Sequence, residues 1–333
     1  MQDKSLGCLY GTAIGDAIGA PVEFNDYAFI RARYPHDDAL QLVGTPARVT
    51  DDTQMMLAVG KAVVQAPRPF QPDTLTPLIN QHFSNWYSDP QNNRAPGVTC
   101  MTSIEKVING QTWEQATNIS SKGCGANMRV QPVGLLALTA QERAAIAQFQ
   151  AAVTHGHPTG LTAADVTAWV IAELMNDGDT TTLSQRIRTY IESQRRVYHQ
   201  QWLGNLYQRP IVFASGEDFI EHGWNECLTV LDKVDSALDA HPYNTDPADL
   251  VGEGWVAEEA FGVALYSFLR YLDAPLTAIR HAAITRGDSD STACITGAFV
   301  GALHGTSAFP DDWIQRLEYH AELTTLGEAL AAP

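Results

Sequence analysis

The chain has 333 residues, of which 45% are hydrophobic and 18% are charged, a composition typical of a globular protein with a sizeable apolar core. Its 38 acidic residues outnumber its 21 lysines and arginines, which gives a formal net charge of -17. The resulting negative field excludes broad nucleic-acid binding and disfavours anionic lipid, and a phosphate-bearing substrate would need metal ions or local dipoles to be held.

Glycines four residues apart mark two segments, one near each end of the chain. They are Gly7, Gly11, Gly15 and Gly19, and then Gly297, Gly301 and Gly305. On a helix, this spacing puts every glycine on one stripe, so that another backbone can approach closely. Glycine lowers helix stability by up to ~1 kcal/mol per position relative to alanine. The stripes therefore predict tight helix packing, which would bring the neighbouring acidic motifs together.

The first acidic motif is Thr50-Asp51-Asp52-Thr53, which precedes an apolar run at residues 55–59. A threonine or aspartate before such a run predicts the N-cap of a helix. One capping acid would need no further explanation, and only one of two adjacent acids can cap well. The second acid therefore indicates a further role.

The middle of the chain contains a glycine-rich loop and a histidine motif. The loop spans residues 121–129, and its glycines allow backbone N–H groups to turn toward an anion such as phosphate. Its spacing matches neither a Walker A nor a dinucleotide-binding pattern, and an ordinary loop is the alternative. The motif His155-Gly156-His157 is a rival metal site, because His-x-His can bind zinc or iron. No third ligand is evident nearby, and such a loop more often supplies a hydrogen-bond donor.

Apolar residues recur at helical spacing over residues 132–153, 161–175 and 255–272, and each pattern predicts helix. Alternating patterns typical of strands are scarce. No low-complexity linker and no repeat of fixed period divides the chain. The sequence therefore predicts an all-α protein in which residues 1–333 form one domain.

The second acidic motif, Gly287 to Thr292, contains Asp288 and Asp290 and also leads into an apolar run. Crowded carboxylates are unfavourable unless protons or cations neutralise them, and carboxylate and hydroxyl oxygens suit Mg²⁺, Mn²⁺ or Ca²⁺. We therefore expect the two acidic motifs to hold divalent cations jointly. Taken alone, each motif is more typical of a solvated helix cap, and their spacing does not establish that they meet.

Cysteine usage and the apolar runs bear on the cellular compartment. Five widely spaced cysteines without a Cys-x-x-Cys pair argue against a disulfide framework and a structural zinc site. The first residues do not resemble a signal peptide, and no run of ~18 apolar residues would cross a membrane. A cytoplasmic location is expected.

Several segments together resemble the ADP-ribosylglycohydrolase family, which includes the enzyme that reactivates ADP-ribosylated dinitrogenase reductase. The matching blocks are residues 11–23, 50–53, 123–132, 154–155 and 287–305. They occur in the family's order and span most of the chain. Each block is modestly specific, whereas the ordered set is highly specific.

The resemblance implies a single compact orthogonal helical bundle with a binuclear Mg²⁺ or Mn²⁺ centre. It implies metal ligands at Thr50, Asp51, Asp52, Asp288, Asp290 and Ser291. The expected catalytic residues are Glu23, Asp51, Asp52 and Asp290. The expected substrate-binding residues are Glu23, Gly123, Cys124, Gly125, Asn127, Met128 and His155. In this scheme the loop binds the diphosphate through backbone N–H groups, and His155 lines the ribose side.

Three positions depart from the family pattern. Ser291 replaces the usual threonine and keeps the hydroxyl, and Cys124 stands where many relatives have asparagine. Some arginine-specific relatives carry an acid just before the glycine of the block that reads Arg94-Ala95-Pro96-Gly97 here. The acceptor is therefore left open by the sequence.

The function expected is metal-dependent hydrolysis of the glycosidic bond between ADP-ribose and an acceptor, first of all ADP-ribosylarginine on a protein. The alternatives are another ADP-ribosyl linkage (to serine, a nucleic-acid base or a small molecule), a non-catalytic ADP-ribose-binding module, or a phosphohydrolase with two-metal chemistry. The two intact acidic motifs favour an enzyme over a binding module. We expect a monomer that acts on an ADP-ribosylated protein or small molecule.

Overall fold

The computed structural model describes residues 1–176, 179–210, 212–240 and 245–332. Within these ranges the chain forms helices and no strand, and its β-type pairing is confined to isolated bridges. The predicted all-α class is therefore confirmed. The assignment of residues 1–333 to one domain stays a prediction.

The described part of the chain contains α-helices of very different lengths. In chain order they are α1 (Gln2–Gly19), α2 (Tyr27–Arg33), α3 (Asp51–Gln65), α4 (Pro72–Tyr87), α5 (Val98–Ile108), α6 (Trp113–Ala116), α7 (Gln131–Leu135), α8 (Ala140–Ala152), α9 (Pro158–Met175), α10 (Leu183–Gln194), α11 (Gln200–Leu203), α12 (Gly216–Ala240), α13 (Pro247–Leu250), α14 (Ala257–Arg270), α15 (Pro275–Ala283), α16 (Ser289–His304), α17 (Asp311–Arg316) and α18 (His320–Ala331). A short 3-10 helix at Cys124–Ala126 lies between α6 and α7.

The two glycine stripes pack against each other at the centre of the fold. A Cβ atom at Gly11 would lie 2.0 Å from the carbonyl oxygen of Gly297, and one at Gly297 would lie 1.9 Å from that of Gly11. Only glycine permits backbones this close, as the spacing predicts. At one end of this antiparallel pair, a Cβ at Gly19 would lie 2.4 Å from the Cα of Asp290. The C-terminus of α1 therefore lies at the N-terminus of α16.

The predicted helices agree with the structure except at one break. The patterns at 161–175 and 255–272 correspond to α9 and α14, and α9 is buried along nearly its whole length. The pattern at 132–153 is interrupted, because Thr139 and Glu142 form a capping box that begins α8 after α7 has ended. No helix in the described ranges is long and apolar enough to span a bilayer.

Candidate metal centre and substrate pocket

Both acidic motifs lie at helix N-termini, as their sequences predict. The Thr50 hydroxyl accepts a hydrogen bond of 3.3 Å from the backbone N–H of Asp52 at the start of α3. The carboxylate of Asp288 accepts one of 3.3 Å from the backbone N–H of Ser291 at the start of α16. Because α1 packs along α16 and contacts α3, the two N-termini face one pocket.

A buried aspartate on α1 binds the N-terminus of α3, and the sequence did not nominate it. The carboxylate of Asp16 accepts hydrogen bonds from the backbone N–H groups of Thr50 (2.9 Å) and Thr53 (3.1 Å) and from the Thr53 hydroxyl (2.5 Å). Burial, followed by the charge of Asp290, raises the pKa of Asp16 to about 7. The signal available in the sequence was an acid inside a glycine stripe, between Gly15 and Gly19.

The pocket has a volume of about 310 Å³ and a strongly acidic lining. Its carboxylates are Glu23, Asp51, Asp52, Asp288 and Asp290. Glu23 is half-buried, whereas the four aspartates are buried. Among the described residues that line the pocket there is neither lysine nor arginine. Five acids therefore share one small volume whose described lining contains no side-chain cation.

This crowding opposes ionisation of the acids. Burial, and next the charge of Asp290, raises the pKa of Glu23 to about 9 and that of Asp51 to about 8. The same causes raise the pKa values of Asp52 and Asp288. Several carboxylates can lie together in one small pocket only when protons or a cation neutralise part of their negative charge.

The donor atoms fit a hard divalent cation. Glu23, Asp288 and Asp290 each offer a carboxylate oxygen, and these oxygens lie within 4.8 Å of one another. A further oxygen, Oδ2 of Asp52, is buried and has no hydrogen-bond partner among the described residues. An all-oxygen set of this kind suits Mg²⁺, Mn²⁺ or Ca²⁺.

The two predicted hydroxyl ligands have different positions. Ser291 lines the pocket, and its hydroxyl donates a weak hydrogen bond to the sulfur of Met128 at 3.8 Å. Thr50 is not among the residues lining the pocket, and its hydroxyl oxygen accepts the N-cap hydrogen bond of α3. That oxygen keeps a second lone pair, so the expectation that Thr50 binds metal directly stays a prediction.

The glycine-rich loop forms one wall of the pocket, with Gly123, Cys124, Gly125 and Met128 in the lining. The backbone N–H of Cys124 donates to the carbonyl oxygen of Trp255 at 3.1 Å, so this N–H is not free to bind a phosphate as expected. At Gly125, a Cβ atom would lie 2.9 Å from the sulfur of Cys100 and 3.0 Å from Cε1 of His155. The glycine therefore makes room for His155.

Asn127 and the Cys124 thiol are both buried in this loop. Asn127 does not line the pocket, and its side-chain amide donates to the carbonyl oxygen of Ala257 at 3.0 Å. Its contact with substrate stays a prediction. Burial raises the pKa of the Cys124 thiol well above its usual value, which disfavours the thiolate needed for nucleophilic attack.

The two histidines of the His-x-His motif lie in different surroundings. His155 lines the pocket. His157 caps α9, where its Nδ1 accepts from the backbone N–H of Thr159 at 3.3 Å, and its ring lies 5.8 Å from that of His222. In the described part of the chain, the group of three residues able to share a metal is the carboxylate group, and it contains neither histidine.

An aromatic pair borders the pocket and was missed by the sequence analysis. The rings of Phe24 and Trp255 stack with centroids 5.6 Å apart and an interplanar angle of 17°, and both line the pocket. Phe24 directly follows Glu23, and Trp255 precedes α14. Their separation by more than two hundred positions left no sequence signal for the pair.

Comparison with known proteins gives a consistent result. A family model described as ADP-ribosylglycohydrolase matches residues 1–333. The human protein named ADP-ribosylhydrolase ARH3 is 25% identical, with 97% of this chain and 92% of the relative covered. The ADP-ribosyl-[dinitrogen reductase] glycohydrolase of Rhodospirillum rubrum is 23% identical over 97% of this chain and 92% of its own. The ADP-ribosylarginine hydrolase Tri1 of Serratia proteamaculans is 25% identical over 98% and 79%, respectively.

A solved structure supports the fold independently. It is described as an ADP-ribosylglycohydrolase-related protein complex and superposes with a TM-score of 0.69. It covers 99% of this chain at 23% identity, a level that speaks for the fold alone. The family match spans the whole sequence, and the relatives are named as hydrolases of ADP-ribosyl compounds. The chain therefore belongs to the ADP-ribosylglycohydrolase family and is an enzyme of that class, a hydrolase of ADP-ribosyl linkages.

Proposed function

We propose that this protein releases ADP-ribose from ADP-ribosylarginine on a modified protein, in a reaction that requires Mg²⁺ or Mn²⁺. The observation that carries the proposal is the convergence of five carboxylates in one pocket beside His155 and the glycine-rich loop. A pocket that only bound ADP-ribose would hold its anionic diphosphate poorly against five acids. In a cation-dependent enzyme, such carboxylates can bind the cations and position the attacking water.

We further propose which residues hold the cations. Asp51, Asp52, Asp288 and Asp290 are buried and line the pocket, and the Ser291 hydroxyl lies beside them. When bound, divalent cations in such a site acidify a water molecule and orient the hydroxyls of a sugar. The acidic group is large enough for two ions, as the family resemblance implies.

Glu23 differs from the other four acids by its position. It is half-buried at the pocket opening, whereas the aspartates are buried. It is therefore accessible to water. We propose that it positions the attacking water and accepts its proton once bound cations have offset the neighbouring negative charges that help raise its pKa. In the hydrolysis, the water oxygen bonds to the anomeric carbon of the ribose, the bond to the acceptor nitrogen breaks, and the acceptor leaves with a proton. The surrounding carboxylates stabilise the positive charge that develops on the sugar.

The choice of arginine as acceptor is supported by charge and by relatives. A guanidinium group is always protonated, so an acidic pocket opening attracts it more than it attracts a serine ester or a nucleobase. Two relatives are named for dinitrogen reductase and for ADP-ribosylarginine. The stacked rings of Phe24 and Trp255 offer a flat surface to a planar guanidinium.

A substrate panel tests this function. Peptides carrying ADP-ribosylarginine or ADP-ribosylserine, and ADP-ribosylated DNA, are incubated with the protein in Mg²⁺, Mn²⁺ or EDTA, and released ADP-ribose is measured. We expect the arginine linkage to be hydrolysed fastest, and only with metal. Faster release from serine or DNA contradicts the acceptor assignment. Binding of ADP-ribose without any release, or release of inorganic phosphate instead, contradicts the proposed reaction.

The role of Glu23 has its own test. Glu23→Gln keeps the size of the side chain and removes its basicity, so we expect kcat to fall by about 10² or more. Because a Glu23 oxygen lies within 4.8 Å of the Asp288 and Asp290 oxygens, metal affinity should also fall, but by a smaller factor. Glu253→Gln is the control, because Glu253 is an exposed acid that does not line the pocket. Unchanged kcat in Glu23→Gln, or an equal loss in the control, would remove Glu23 from the reaction.

A further inference from the structure

A fully buried arginine, Arg129, lies directly behind the pocket wall, next to Cys100, which lines the pocket. Arg129 is 0% exposed, and no carboxylate of the described residues forms an ion pair with it. Its Cζ lies 4.5 Å from the ring centroid of Phe83. Burying an unpaired cation is costly, so a residue of this kind needs an explanation.

All five N–H groups of Arg129 have a partner. Nε donates to Oε1 of Gln150 at 2.8 Å, and Nη2 donates to the Gln150 carbonyl oxygen at 2.7 Å and to the Thr154 hydroxyl at 2.9 Å. Nη1 contacts the sulfur atoms of Met55 and Cys100, each at 3.6 Å. Because a guanidinium has no acceptor, the Thr154 oxygen must accept from Arg129.

Because the Thr154 oxygen accepts from Arg129, the direction of the hydrogen bond between Thr154 and His155 can be assigned. The Thr154 hydroxyl oxygen lies 2.8 Å from Nδ1 of His155. Within the described residues, the hydroxyl has these two partners, and Arg129 already acts as a donor. If Nδ1 also donated, the buried hydroxyl proton would have no acceptor among these two partners, so the hydroxyl donates to the lone pair of Nδ1. In a neutral imidazole the remaining proton then resides on Nε2.

The opposite edge of the ring faces the pocket. Nε2 of His155 lies 3.5 Å and 3.3 Å from the positions that Cβ atoms would take at Gly123 and Gly125. Burial, and next the charge of Arg129, lowers the pKa of His155 to about 3, so that the ring is neutral near pH 7. The oxygens of a diphosphate can only accept hydrogen bonds, and a ring lone pair at this edge would repel them.

We propose that Arg129 and Thr154 are positioning residues that hold His155 as the tautomer protonated on Nε2, so that it presents an N–H donor to the ADP-ribosyl group. The part that concerns the ADP-ribosyl group rests on the function proposed above. The arrangement Arg129–Thr154–His155 itself can be measured without substrate.

The test uses protein labelled with ¹⁵N-histidine and long-range ¹H–¹⁵N NMR spectra, recorded without ligand. The His155→Gln spectrum identifies His155 among the ten histidines. In the wild type we expect the proton on Nε2 and a hydrogen-bonded lone pair on Nδ1. In Thr154→Val, which has nearly the same shape, the Nδ1 signal should move toward that of a free lone pair, whereas Thr154→Ser should keep it.

Thr167→Val is the matched control, because Thr167 is also a fully buried threonine and its hydroxyl has no partner in the described structure. It should leave the His155 signals unchanged. With the arginine substrate, Thr154→Val should lower kcat/KM by about tenfold and Thr154→Ser by much less.

Two results overturn the proposal: a proton on Nδ1 of His155 in the wild type, or an unchanged Nδ1 signal in Thr154→Val. If Arg129→Lys folds and its His155 Nδ1 signal is unchanged, the role assigned to Arg129 is wrong. If that variant does not fold, the comparison of Thr154→Val with Thr154→Ser tests the proposal. If the spectra show the proton on Nε2 of His155 but the protein releases no ADP-ribose, the positioning proposal stands. That result would refute the proposed function instead.

Discussion

Two buried polar centres adjoin the same pocket and are built in opposite ways. The first is the set of five carboxylates that line the pocket, Glu23, Asp51, Asp52, Asp288 and Asp290. Their like charges lie close together, and Oδ2 of Asp52 has no hydrogen-bond partner among the described residues. The Arg129 centre holds one cation and gives each of its N–H groups a neutral acceptor. The first centre is complete only with an external ligand, whereas the second is complete within the protein. Losses at the first should therefore act mainly on activity. Losses at the second should act mainly on stability, and on activity only through His155.

The largest effect is expected at the first centre, in Asp290→Ala. Asp290 is the neighbour whose charge most raises the pKa values of Asp16, Glu23, Asp51 and Asp52. We expect kcat to fall by about 10³ or more and the heat of Mn²⁺ binding to disappear, while far-UV circular dichroism stays helical. Asp311→Ala, at an exposed acid, is the control. Full activity of a metal-stripped Asp290→Ala protein would end the metal-site proposal.

The second centre is tested by Arg129→Ala. This change leaves a cavity beside Phe83 and removes the donors to Gln150 and Thr154, so we expect the free energy of unfolding to fall by about 3 to 5 kcal/mol. Denaturant unfolding measures it, with Arg33→Ala at an exposed site as the control. A change below about 1 kcal/mol would contradict the view that Arg129 supports the fold.

Metal and pH should act together on the first centre. Burial raises the pKa of Asp51 to about 8 and that of Asp16 to about 7, whereas in the unfolded chain both are about 4. The folded state thus keeps protons that the unfolded state has lost, so the free energy of unfolding of metal-free protein falls as pH rises from about 4 to 9. We expect bound Mg²⁺ or Mn²⁺ to replace those protons. At 100 times its Kd, metal should add about 2.7 kcal/mol, with greater effect at pH 8 than at pH 5.

A buried acid outside the pocket, Asp165, distinguishes the joint effect of metal and pH on stability from the effect of burial alone. Asp165 accepts hydrogen bonds from Tyr190 (2.6 Å) and Gln148 (2.8 Å) and does not line the pocket, and its pKa is raised to about 6, mainly by burial. Its contribution to the pH slope therefore ends near pH 6. Asp165→Asn should flatten the slope below that pH and leave the metal response unchanged. An equal pH slope with and without metal would count against cation binding by the acidic group.

The smallest effects are expected at two glycines that flank His155. Gly125→Ala forces a Cβ to within about 3.0 Å of the His155 ring, so we expect kcat/KM to fall about tenfold and stability by about 1 to 2 kcal/mol. At Gly160 the nearest atom, Cβ of His155, would lie at 3.6 Å, which is ordinary contact. Gly160→Ala should therefore raise stability by about 0.5 kcal/mol and preserve activity. Equal kinetics of the two variants would refute the spatial role given to Gly125.

Local signals in the sequence anticipated a large part of this architecture. The caps at Thr50 and Asp288, the helices α9 and α14 and the close packing of the glycine stripes follow from patterns within a few turns of chain. The capping box at Thr139 was also readable, yet the apolar spacing across it suggested a continuous helix. Where two local signals compete, the hydrogen-bonded cap determines the boundary because it satisfies backbone groups directly.

The contents of the pocket were predicted less evenly. The acids were nominated correctly as neighbours, since like charges and a glycine-permitted helix contact both indicated a shared site. Asp16, the Phe24–Trp255 pair and the inward turn of Asn127 were not anticipated. Each depends on which side of a loop or helix faces a partner that lies far away in the chain, and a single sequence carries no record of that orientation.

By itself, the sequence determined the helical class, the places where helices begin and the stock of hard oxygen ligands, because these follow from side-chain chemistry and short-range hydrogen bonding. Only the tertiary structure decided that the N–H of Cys124 donates to Trp255, that Asp16 binds the N-terminus of α3 and that Arg129 reaches His155 through Thr154. The physical reason is that the packing of α1 against α16 fixes the positions of the two acidic N-termini. The distances across that contact then select which polar groups satisfy one another and which remain for a ligand.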